Sequence, residues 1–423
     1  MPTRPAARTI LAACALALSA SSALAIDDAH REKAGAMIDR VIDYLRSQQD
    51  GATGGWAVNP KGPNYPGITG LVLTGMLLDP DLDATDDAVV RGVEFLLSYR
   101  QPDGGIYDQI LPSYNTSLAL SALALAQQES ARAAIKPAQS FLKGLQWGEG
   151  ANLTSDTTET PTEITKEHPF YGGWGYGNHG RPDLSNTAFA LQALHDSGVP
   201  SDDPAFQRAL TFLERCQMAD GVNDMPYADG SSQGGFIYAT SLNKDNVGSG
   251  ETKPQGVAQF VEESADDGER VSRMRAYGSM TYSGFKSLLY AELDRDDPRV
   301  ESAYEWIRRN YTLEENPQMG AEGLYYYFIS FARALDAFGG AHITPLVSAQ
   351  TGEIVIDDAS ATGDAPGGFV EGDTRDWQND LVDRLAELQN DDGSFRAVHN
   401  RWMENNPVLI TAYSLIALQH AVK

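Results

Sequence analysis

The feature that most constrains the fold is a recurring phrase, Leu-x-x-x-Gln-x-x-Asp-Gly, which occurs complete or in degenerate form along the chain. Six copies are found, and they begin at Leu45, Leu96, Leu142, Leu213, Ile307 and Leu385. Each copy resembles a helix end followed by a turn, because glycine adopts the left-handed conformation that stops a helix. The aspartate can accept backbone N–H groups of the turn. We interpret the glutamine as a structural residue that bonds free carbonyls or the next repeat.

A second phrase follows each copy and reads Thr-x-apolar-x-Leu with small residues between. Its copies begin at Thr69, Thr116, Thr187, Thr281, Leu324 and Thr411. These segments are apolar on all sides, which is typical of a helix buried on both faces. The segments that carry the first phrase keep charged residues, so we expect them to lie on the outside of the fold. A fixed internal pattern with variable loops is typical of a helical array.

The two phrases together predict six pairs of helices, one outer and one inner helix per pair. The predicted outer helices cover residues 29–49, 85–100, 131–146, 203–217, 297–310 and 375–390. The predicted inner helices cover residues 67–79, 114–128, 184–197, 277–293, 321–338 and 407–421. The five threonines at the heads of inner helices suit a cap or first-turn position.

Three insertions interrupt the repeats, at about residues 150–170, 222–276 and 341–374. In the second, only residues 234–238 resemble a strand, and in the third, residues 352–357 suit a short hairpin. Long loops of this kind often form functional rims. None resembles an independent domain, so the pattern predicts a single domain over residues 26–423.

The N-terminal segment 1–25 has the pattern of a secretory signal. Two arginines precede an apolar run from Ile10 to Ala20, and Ala23-Leu24-Ala25 fits a cleavage site. A lipoprotein box ending at Cys14 is the alternative, but almost no apolar stretch precedes it. The run is too short to span a bilayer, and no other stretch approaches that length. We therefore expect an exported protein without a transmembrane segment, in the periplasm or outside the cell.

The net charge argues against nucleic-acid and anionic-lipid partners, and the cysteine count argues against an intrachain disulfide. The chain has 58 acidic residues against 32 Lys and Arg, a net charge of −26. Such a chain repels nucleic acid and anionic lipid surfaces, so no nucleic-acid partner is expected. After signal cleavage Cys216 is the only cysteine, which excludes an intrachain disulfide. Its place within an outer helix favours a packed, buried side chain.

At this point the residues carry a family resemblance. The phrase Arg-Ala-x-x-Phe-Leu-x-x-x-Gln-x-x-x-Gly at residues 208–221 resembles the glutamine-tryptophan repeat of squalene and hopene cyclases, and residues 91–106 match the same pattern less fully. Gly-Gly-Trp at residues 54–56 and Gly-Trp at residues 173–174 add to the likeness. The resemblance implies the all-α toroid of the terpene cyclase and prenyltransferase family, an (α/α)6 barrel closed by six inner and six outer helices.

The same resemblance bears on the reaction. The acid motif of triterpene cyclases, Asp-x-Asp-Asp followed by Thr-Ala, corresponds here to Asp-Leu-Ser-Asn-Thr-Ala at residues 183–188. The first acid is kept as Asp183, but the middle position, the family's proton donor, is Ser185. A serine hydroxyl cannot protonate an alkene. The resemblance therefore implies a protein that does not initiate triterpene cyclisation by protonating an alkene. Asp183 itself suits a helix cap.

Other members of the family with this barrel use metal or thioester chemistry. A prenyltransferase-type site needs Asp, Cys and His around one zinc ion. Here Cys216 lies inside a structural repeat, position 214 is a glutamate, and the histidines are scattered. Cys216-Gln217 also lacks the context of a thioester loop. The sequence therefore predicts no metal site and no cofactor.

In such a toroid the heads of the inner helices open at one end, and a ligand site is expected there. The candidate ligand-binding residues are Tyr65, Asn115, His179, Asn186, Tyr282, Tyr325 and Trp402. Asp183 and Glu404 are the candidate catalytic residues, as a paired acid and base for a glycan whose sugar rings would stack on tryptophan. The alternative is that tyrosines simply pack the mouth of the barrel.

The leading hypothesis is an exported protein, similar to squalene cyclases and prenyltransferases, that binds an apolar or isoprenoid-type ligand in its barrel. A carbohydrate-active α/α barrel enzyme and a non-catalytic binding scaffold are the alternatives. A small-molecule or lipid ligand is expected in the first case. The sequence names no protein partner, and it leaves open whether the chain is an enzyme of the cyclase or mutase type, a glycan-active enzyme, or neither.

Overall fold

The computed structural model describes residues 26–57, 62–151, 164–177, 181–240, 259–264, 268–363, 365 and 367–423. The proposed signal segment 1–25 and the candidate residue His179 lie outside these ranges, as does most of the first predicted insertion. The described part is mainly helical. Its longer helices alternate in the order that the repeats predict.

Thirteen α-helices occur in the described residues. In chain order they are α1 (Asp28–Gln48), α2 (Pro66–Leu77), α3 (Asp87–Ser98), α4 (Pro112–Ala126), α5 (Glu129–Gly144), α6 (Leu184–Asp196), α7 (Pro204–Cys216), α8 (Gly278–Tyr290), α9 (Pro298–Arg309), α10 (Leu324–Phe338), α11 (Asp358–Thr362), α12 (Trp377–Leu388) and α13 (Pro407–Ala421). Helix α11 is a single short turn within the third insertion. The other twelve lie at the positions of the six predicted pairs.

The inner helices form a closed ring. Helix α2 packs against α4, α4 against α6, α6 against α8, α8 against α10 and α10 against α13, and α13 returns to contact α2. The outer helices α1, α3, α5, α7, α9 and α12 pack on the outside of this ring. The predicted (α/α)6 toroid is therefore confirmed.

The burial of the helices follows their composition. In α2 the residues from Pro66 to Met76 are all buried, as an inner helix between two layers requires. Helix α3 buries only one face, which includes Val89, Val93 and Leu96. In the ranges that the structure describes, no helix combines the length and the apolar character needed to cross a membrane.

The repeat glutamines connect each outer helix to the next. The Nε2 of Gln146 donates to the carbonyl oxygens of Gly172 (2.9 Å) and Ala205 (2.8 Å), the latter in the first turn of α7. Its Oε1 accepts from Arg208 Nε at 2.9 Å. Gln389 of the last outer helix bonds the Arg40 side chain of α1 in the same way. These glutamines thus have the structural role that the sequence predicts. Gln389 also helps to close the ring, because it joins the end of the last outer helix to the first outer helix.

The repeat threonines fix the loop that precedes each inner helix. Thr69 Oγ1 accepts the backbone N–H of Trp56 at 3.0 Å, and Thr187 Oγ1 accepts that of Trp174 at 3.0 Å. Thr116 makes the equivalent bond to Ile106 at 2.9 Å. These residues lie in the first turn of their helices and bond a distant loop, which a cap residue does not do. The tryptophans enter the core between the two layers as a result.

The insertions differ from the sequence expectation. Three two-stranded antiparallel sheets occur in the described residues, formed by β1 (Phe260–Ser264) with β2 (Arg270–Met274), β3 (His342–Ile343) with β6 (Arg375–Asp376), and β4 (Leu346–Ser348) with β5 (Phe369–Glu371). The hairpin predicted at residues 352–357 is wrong, because this segment forms a turn that leads into α11. Residues 234–238 contribute only an isolated bridge from Phe236 to Gln217. Short alternating segments carry too little signal to reveal these pairings.

Candidate functional site

The N-terminal ends of the inner helices surround a cavity of about 370 Å³, which we call the mouth cavity. Its wall is mainly aromatic, formed by Tyr114, Tyr176, Phe189, Tyr238, Tyr277, Tyr326, Trp402 and Tyr413. Ser185, Ser279 and Glu404 add polar groups to the hydroxyls of the six tyrosines in this wall. A cavity of this size with few polar groups is typical of a small-molecule site.

Trp402 is held at the rim by the loop before α13. Residues 401–403 form a short 3-10 turn, in which Trp402 has φ of +52° and Met403 has φ of +63°. The Arg401 guanidinium stacks 4.4 Å from the centre of the indole ring. On its other side the indole ring packs against Gly323, where an added Cβ would lie only 2.9 Å from the ring. The tryptophan is 44% exposed and faces the cavity opening.

Glu404, the residue after this turn, binds the start of α10. The first residue before that helix is Gly323, which has no side chain to cap the helix. Glu404 Oε1 takes this role and accepts the backbone N–H of Tyr326 at 2.9 Å. Its Oε2 has no hydrogen-bond partner among the described residues, although the glutamate is only 1% exposed.

The environment of Glu404 favours its neutral form. Burial raises the pKa of this carboxyl from 4.5 to about 8, despite the opposing effect of the N–H groups at the start of α10. A carboxyl group that is neutral at pH 7 can donate a hydrogen bond as well as accept one. Glu404 therefore presents a donor to an otherwise largely aromatic cavity.

Asp183 has a different environment. It is the N-cap of α6, and its Oδ1 accepts the N–H of Asn186 at 2.8 Å while its Oδ2 accepts from Asn186 Nδ2 at 2.7 Å. Burial raises the pKa of Asp183 to about 6, and Asn186 and Arg181 limit that rise. The carboxylate lies beneath the cavity wall rather than among the residues that line it. The structure thus gives Asp183 the capping role that the sequence favours.

Comparison with known proteins agrees with this architecture. No protein-family model matches the chain. A squalene–hopene cyclase from Bradyrhizobium diazoefficiens is 27% identical over 188 residues, which are 42% of this chain and 28% of the cyclase. The chain thus spans less than a third of that relative's length.

Solved structures extend the comparison to nearly the whole chain. A type II terpene cyclase from Scytonema, in complex with geranylgeranyl dihydroxybenzoate, superposes with a TM-score of 0.51 at 14% identity, covering 93% of this chain and 98% of that one. The fold is terpene cyclase-like. An α-amylase from Clostridium perfringens superposes with a TM-score of 0.48 at 11% identity, covering 91% and 97% of the two chains. A fold shared at such identities does not determine the reaction.

In this terpene cyclase-like fold, the middle position of the acid motif, where this chain has serine instead of aspartate, belongs to the cavity wall. Ser185 lies one residue into α6 and lines the mouth cavity. The nearest acid in the motif, Asp183, points to the helix end and uses both oxygens there. The side chain that faces the cavity at the proton donor's place is therefore a hydroxyl, which does not protonate alkenes.

Five candidate ligand-binding residues are absent from the described lining of the mouth cavity, and they make structural contacts elsewhere. The positions concerned are Tyr65, Asn115, Asn186, Tyr282 and Tyr325. Asn115 joins two loops, since its Oδ1 accepts from Gly67 N (2.8 Å) and its Nδ2 donates to Ile110 O (2.9 Å). Asn186 binds Asp183, and Tyr65 is partly buried against the core at the start of α2.

Tyr282 and Tyr325 require the clearest correction. Both are fully buried, and neither lines the mouth cavity. Tyr282 packs against Phe331 with ring centres 5.2 Å apart, and the Tyr325 hydroxyl donates to Arg396 O at 2.6 Å. The residues that do line the cavity, such as Tyr114, Phe189 and Tyr413, lie on the axial faces of α4, α6 and α13. A helical wheel of the inner helices could have identified them.

The charged residues of the described chain form no evident metal centre. No group of three His, Cys, Asp or Glu side chains among the described residues could hold a metal ion. Cys216 is fully buried in α7, as its repeat position predicts. The mouth cavity therefore offers hydrogen bonding by Glu404 and the serines, and contact with aromatic rings.

Proposed function

We propose that this protein is exported and that it binds an isoprenoid-type ligand with one polar group in the mouth cavity. The polar group accepts a hydrogen bond from neutral Glu404, and the hydrocarbon part packs on the aromatic wall. The observation that carries the proposal is the buried, unpaired Oε2 of Glu404, a residue that lines this largely aromatic cavity. Leaving such an oxygen without a partner costs about 1–3 kcal/mol, which a ligand hydroxyl or carbonyl would recover.

The composition of the wall favours hydrocarbon over sugar. Eight aromatic rings converge on the cavity, and their faces suit the methyl groups and double bonds of an isoprenoid chain. The similar Scytonema cyclase has an isoprenoid compound, geranylgeranyl dihydroxybenzoate, in its structure. The curated relative is a squalene–hopene cyclase. Both support an isoprenoid ligand for this chain.

The acid–base properties of the cavity argue against proton-initiated cyclisation. Protonation of an alkene needs a strong acid, whereas burial raises the pKa of Glu404 to about 8 and that of Asp183 to about 6. Ser185 supplies no alternative donor. We infer that Glu404 binds or polarises its ligand and does not transfer a proton to carbon.

The paired-carboxylate mechanism of a glycoside hydrolase receives less support. Such a mechanism needs two carboxyl groups on opposite sides of the scissile bond. Glu404 lines the cavity and Asp183 does not, and both oxygens of Asp183 bond Asn186 at the start of α6. The raised pKa of Glu404 would suit a general acid, but among the described lining residues there is no second carboxylate.

Native mass spectrometry of protein secreted from its full-length precursor tests the proposal. The protein is incubated with farnesol, geranylgeraniol or a cello-oligosaccharide. We expect a mass that corresponds to cleavage after Ala25 and retention of one prenyl alcohol per chain. Ser185→Phe should fill the cavity and abolish retention, whereas Val370→Ala, at an exposed residue of β5, should retain the ligand. An uncleaved chain would refute export. Preferential retention of the oligosaccharide, or equal retention by Ser185→Phe, would refute the ligand assignment.

A further inference from the structure

The opposite end of the barrel contains a second cavity, of about 430 Å³, where the C-terminal ends of the six inner helices meet. We call it the C-terminal chamber. Unlike the mouth cavity, it has charged walls, which include Arg333, Asp336, Asp196 and Lys423. Neither the repeats nor the proposed isoprenoid site accounts for this set of charges.

Arg333 of α10 is the unusual residue in this chamber. It is 5% exposed, and its Nε has no hydrogen-bond partner among the described residues. No carboxylate in the described ranges lies within ion-pairing distance of its guanidinium group, although the charge of Asp196 is near enough to influence it. A buried guanidinium whose Nε has lost water without gaining a partner is costly.

Lys286 of α8 is a second buried basic residue, and it is bonded to Gln192 of the chamber wall. It is 4% exposed, and its Nζ donates to Gln192 Oε1 at 2.6 Å. The ammonium also lies 5.3 Å from the centre of the Tyr290 ring. Burial lowers the pKa of Lys286 well below its usual value, and the charge of Arg333 lowers it further. Burial and the charge of Arg333 both disfavour the ammonium form of Lys286, and an anion bound near Arg333 would favour it.

The two acids of the chamber are already engaged. Asp336 accepts from His420 Nδ1 at 2.6 Å and from Lys423 Nζ at 3.2 Å. Burial lowers the pKa of His420 to about 4, so this ring is neutral at pH 7. Asp196 accepts from Gln192 Nε2 at 2.7 Å. Once these bonds are made, both carboxylates of the described chamber wall have partners, and Arg333 is ion-paired with neither of them.

We propose that the C-terminal chamber binds a compact oxyanion, a carboxylate or phosphate group, held by Arg333. The planar guanidinium can donate two parallel hydrogen bonds to either group. Binding places a negative charge beside Lys286, so the lysine takes up a proton when it starts neutral. The chamber lies at the far end of the ring from the mouth cavity, and this proposal stands independently of the isoprenoid site.

A purely structural role for the cations is the competing explanation. Helix C-terminal ends carry partial negative charge, and a cation near six of them is stabilising without any ligand. The two explanations differ in one measurable respect. Phosphate and citrate stabilise folded proteins generally, so a helix-end role predicts that they raise the Tm of Arg333→Gln as much as that of the native protein. A binding site predicts an additional stabilisation of the native protein that grows with the concentration of free oxyanion.

Thermal unfolding in phosphate, citrate or chloride at matched ionic strength tests the proposal, with titration calorimetry for affinity. We expect phosphate or citrate, and not chloride, to raise the Tm, and the stronger of the two identifies phosphate or carboxylate. Calorimetry in buffers of different ionisation enthalpy should show proton uptake. Arg333→Gln should weaken binding about tenfold or more, through loss of charge-assisted hydrogen bonds. Arg132→Gln is the matched control, because that side chain is 62% exposed on α5.

Equal Tm increases in Arg333→Gln and the native protein, or no oxyanion-specific increase in the native protein, would overturn the proposal. If Arg333→Gln does not fold, crystals of the native protein soaked in selenate decide. An anomalous peak beside Arg333 supports the site, and a chamber without one overturns it. The isoprenoid test is unaffected by either result, since its ligand and its variants belong to the opposite end of the ring.

Discussion

Two buried acids near the mouth cavity show how local partners decide what a carboxyl group can do. Asp183 receives hydrogen bonds from the backbone and side chain of Asn186 on separate oxygens, which partly offset its burial. Glu404 receives a hydrogen bond on one oxygen only, and burial raises its pKa further, to about 8. The same chemical group is therefore a cap in one place and a neutral hydrogen-bond donor in the other.

The raised pKa of Glu404 predicts a defined pH dependence of stability. The unfolded chain loses this proton near pH 4.5 and the folded chain near pH 8. Between these values the folded state binds more protons, so the contribution of Glu404 falls as pH rises, on the order of 1 kcal/mol per pH unit. Glu404→Gln cannot ionise. We expect its stability relative to the native protein to increase from pH 5 to pH 8 and then level off, in urea unfolding measured at each pH.

Asp183→Asn provides the matched control for that experiment. Burial raises the pKa of Asp183 to about 6, from 3.8, so its effect should be confined to the range between those values. Asparagine also caps helices, which limits the structural cost. A Glu404→Gln profile parallel to that of the native protein above pH 6 would show that Glu404 ionises normally, and would remove the neutral donor from the proposed site.

At the residue scale, the sequence predicted contacts that are local and missed contacts that are distant. The capping role of Asp183 follows from its position immediately before α6. The bond from Tyr326 N to Glu404 spans 78 positions and depends on a turn in which Trp402 and Met403 have positive φ. Neither residue type favours that conformation, so no local pattern reveals the turn. The Tyr282 and Tyr325 predictions failed because a position at a helix head does not specify which face points to the axis.

At the scale of elements, the repeat phrases work as connectors between helices. Gln217 at the end of α7 donates from Nε2 to Gly234 O (2.9 Å), Arg299 O (2.8 Å) and Ser302 Oγ (2.9 Å). It is completely buried. One side chain therefore ties its own loop to the first turns of α9. Similar glutamine contacts recur in other repeats, so the repeated phrase marks the ends of outer helices. For this reason the helix pairs could be located from the sequence.

Truncation of this connector should destabilise the protein strongly. In Gln217→Ala the carbonyls of Gly234 and Arg299 lose their amide donor in a buried place, at a cost of about 2–3 kcal/mol. Gln389→Ala is the control, since its bonds to Met37 O (3.1 Å) and Gly393 O (3.5 Å) are longer and less buried. We expect about 1 kcal/mol or less for that change. Equal losses in chemical denaturation would contradict the connector role.

Helices and strands differed in how well the sequence predicted them. Inner helices such as α2 and α13 combine an apolar composition over three or more turns with a repeated head, so their position was unambiguous. Strands β1 and β2 contain Glu262, Glu263 and Arg270, and their alternation is too weak to recognise. Their pairing depends on tertiary contacts, such as the bonds from Ser231 and Gln233 to the buried Glu263 carboxylate.

At the scale of the whole molecule, the ring orients six inner helices in one direction and so creates two ends of different chemistry. Their N-terminal ends surround the aromatic mouth cavity, and their C-terminal ends surround the charged C-terminal chamber. Positive side chains such as Arg333 suit the negative helix ends, and the unpaired N–H groups at the start of α10 bond Glu404. The polarity of the helices therefore contributes to the placement of both proposed sites.

Closure of the ring depends on α13, which packs between α10 and α2 and contacts α1 and α12 outside. The seam is reinforced by Gln378, whose Oε1 accepts from Ile26 N (3.1 Å) and whose Nε2 donates to Ala421 O (2.9 Å). In an open solenoid each repeat contacts only its neighbours, and removal of a terminal repeat leaves the rest folded. In a closed ring the same removal exposes apolar faces on two inner helices that are not adjacent in sequence.

Deletion of residues 407–423 should therefore abolish cooperative unfolding of the whole chain. We expect a truncated protein that retains part of its helical circular dichroism, binds a hydrophobic dye and lacks a sharp thermal transition. Gln378→Ala, which weakens the seam but keeps α13, should retain a single transition at a Tm lower by a few degrees, because it removes two buried hydrogen bonds. A truncated protein with one sharp transition would mean that the remaining helices fold as an open array and that closure contributes little to stability.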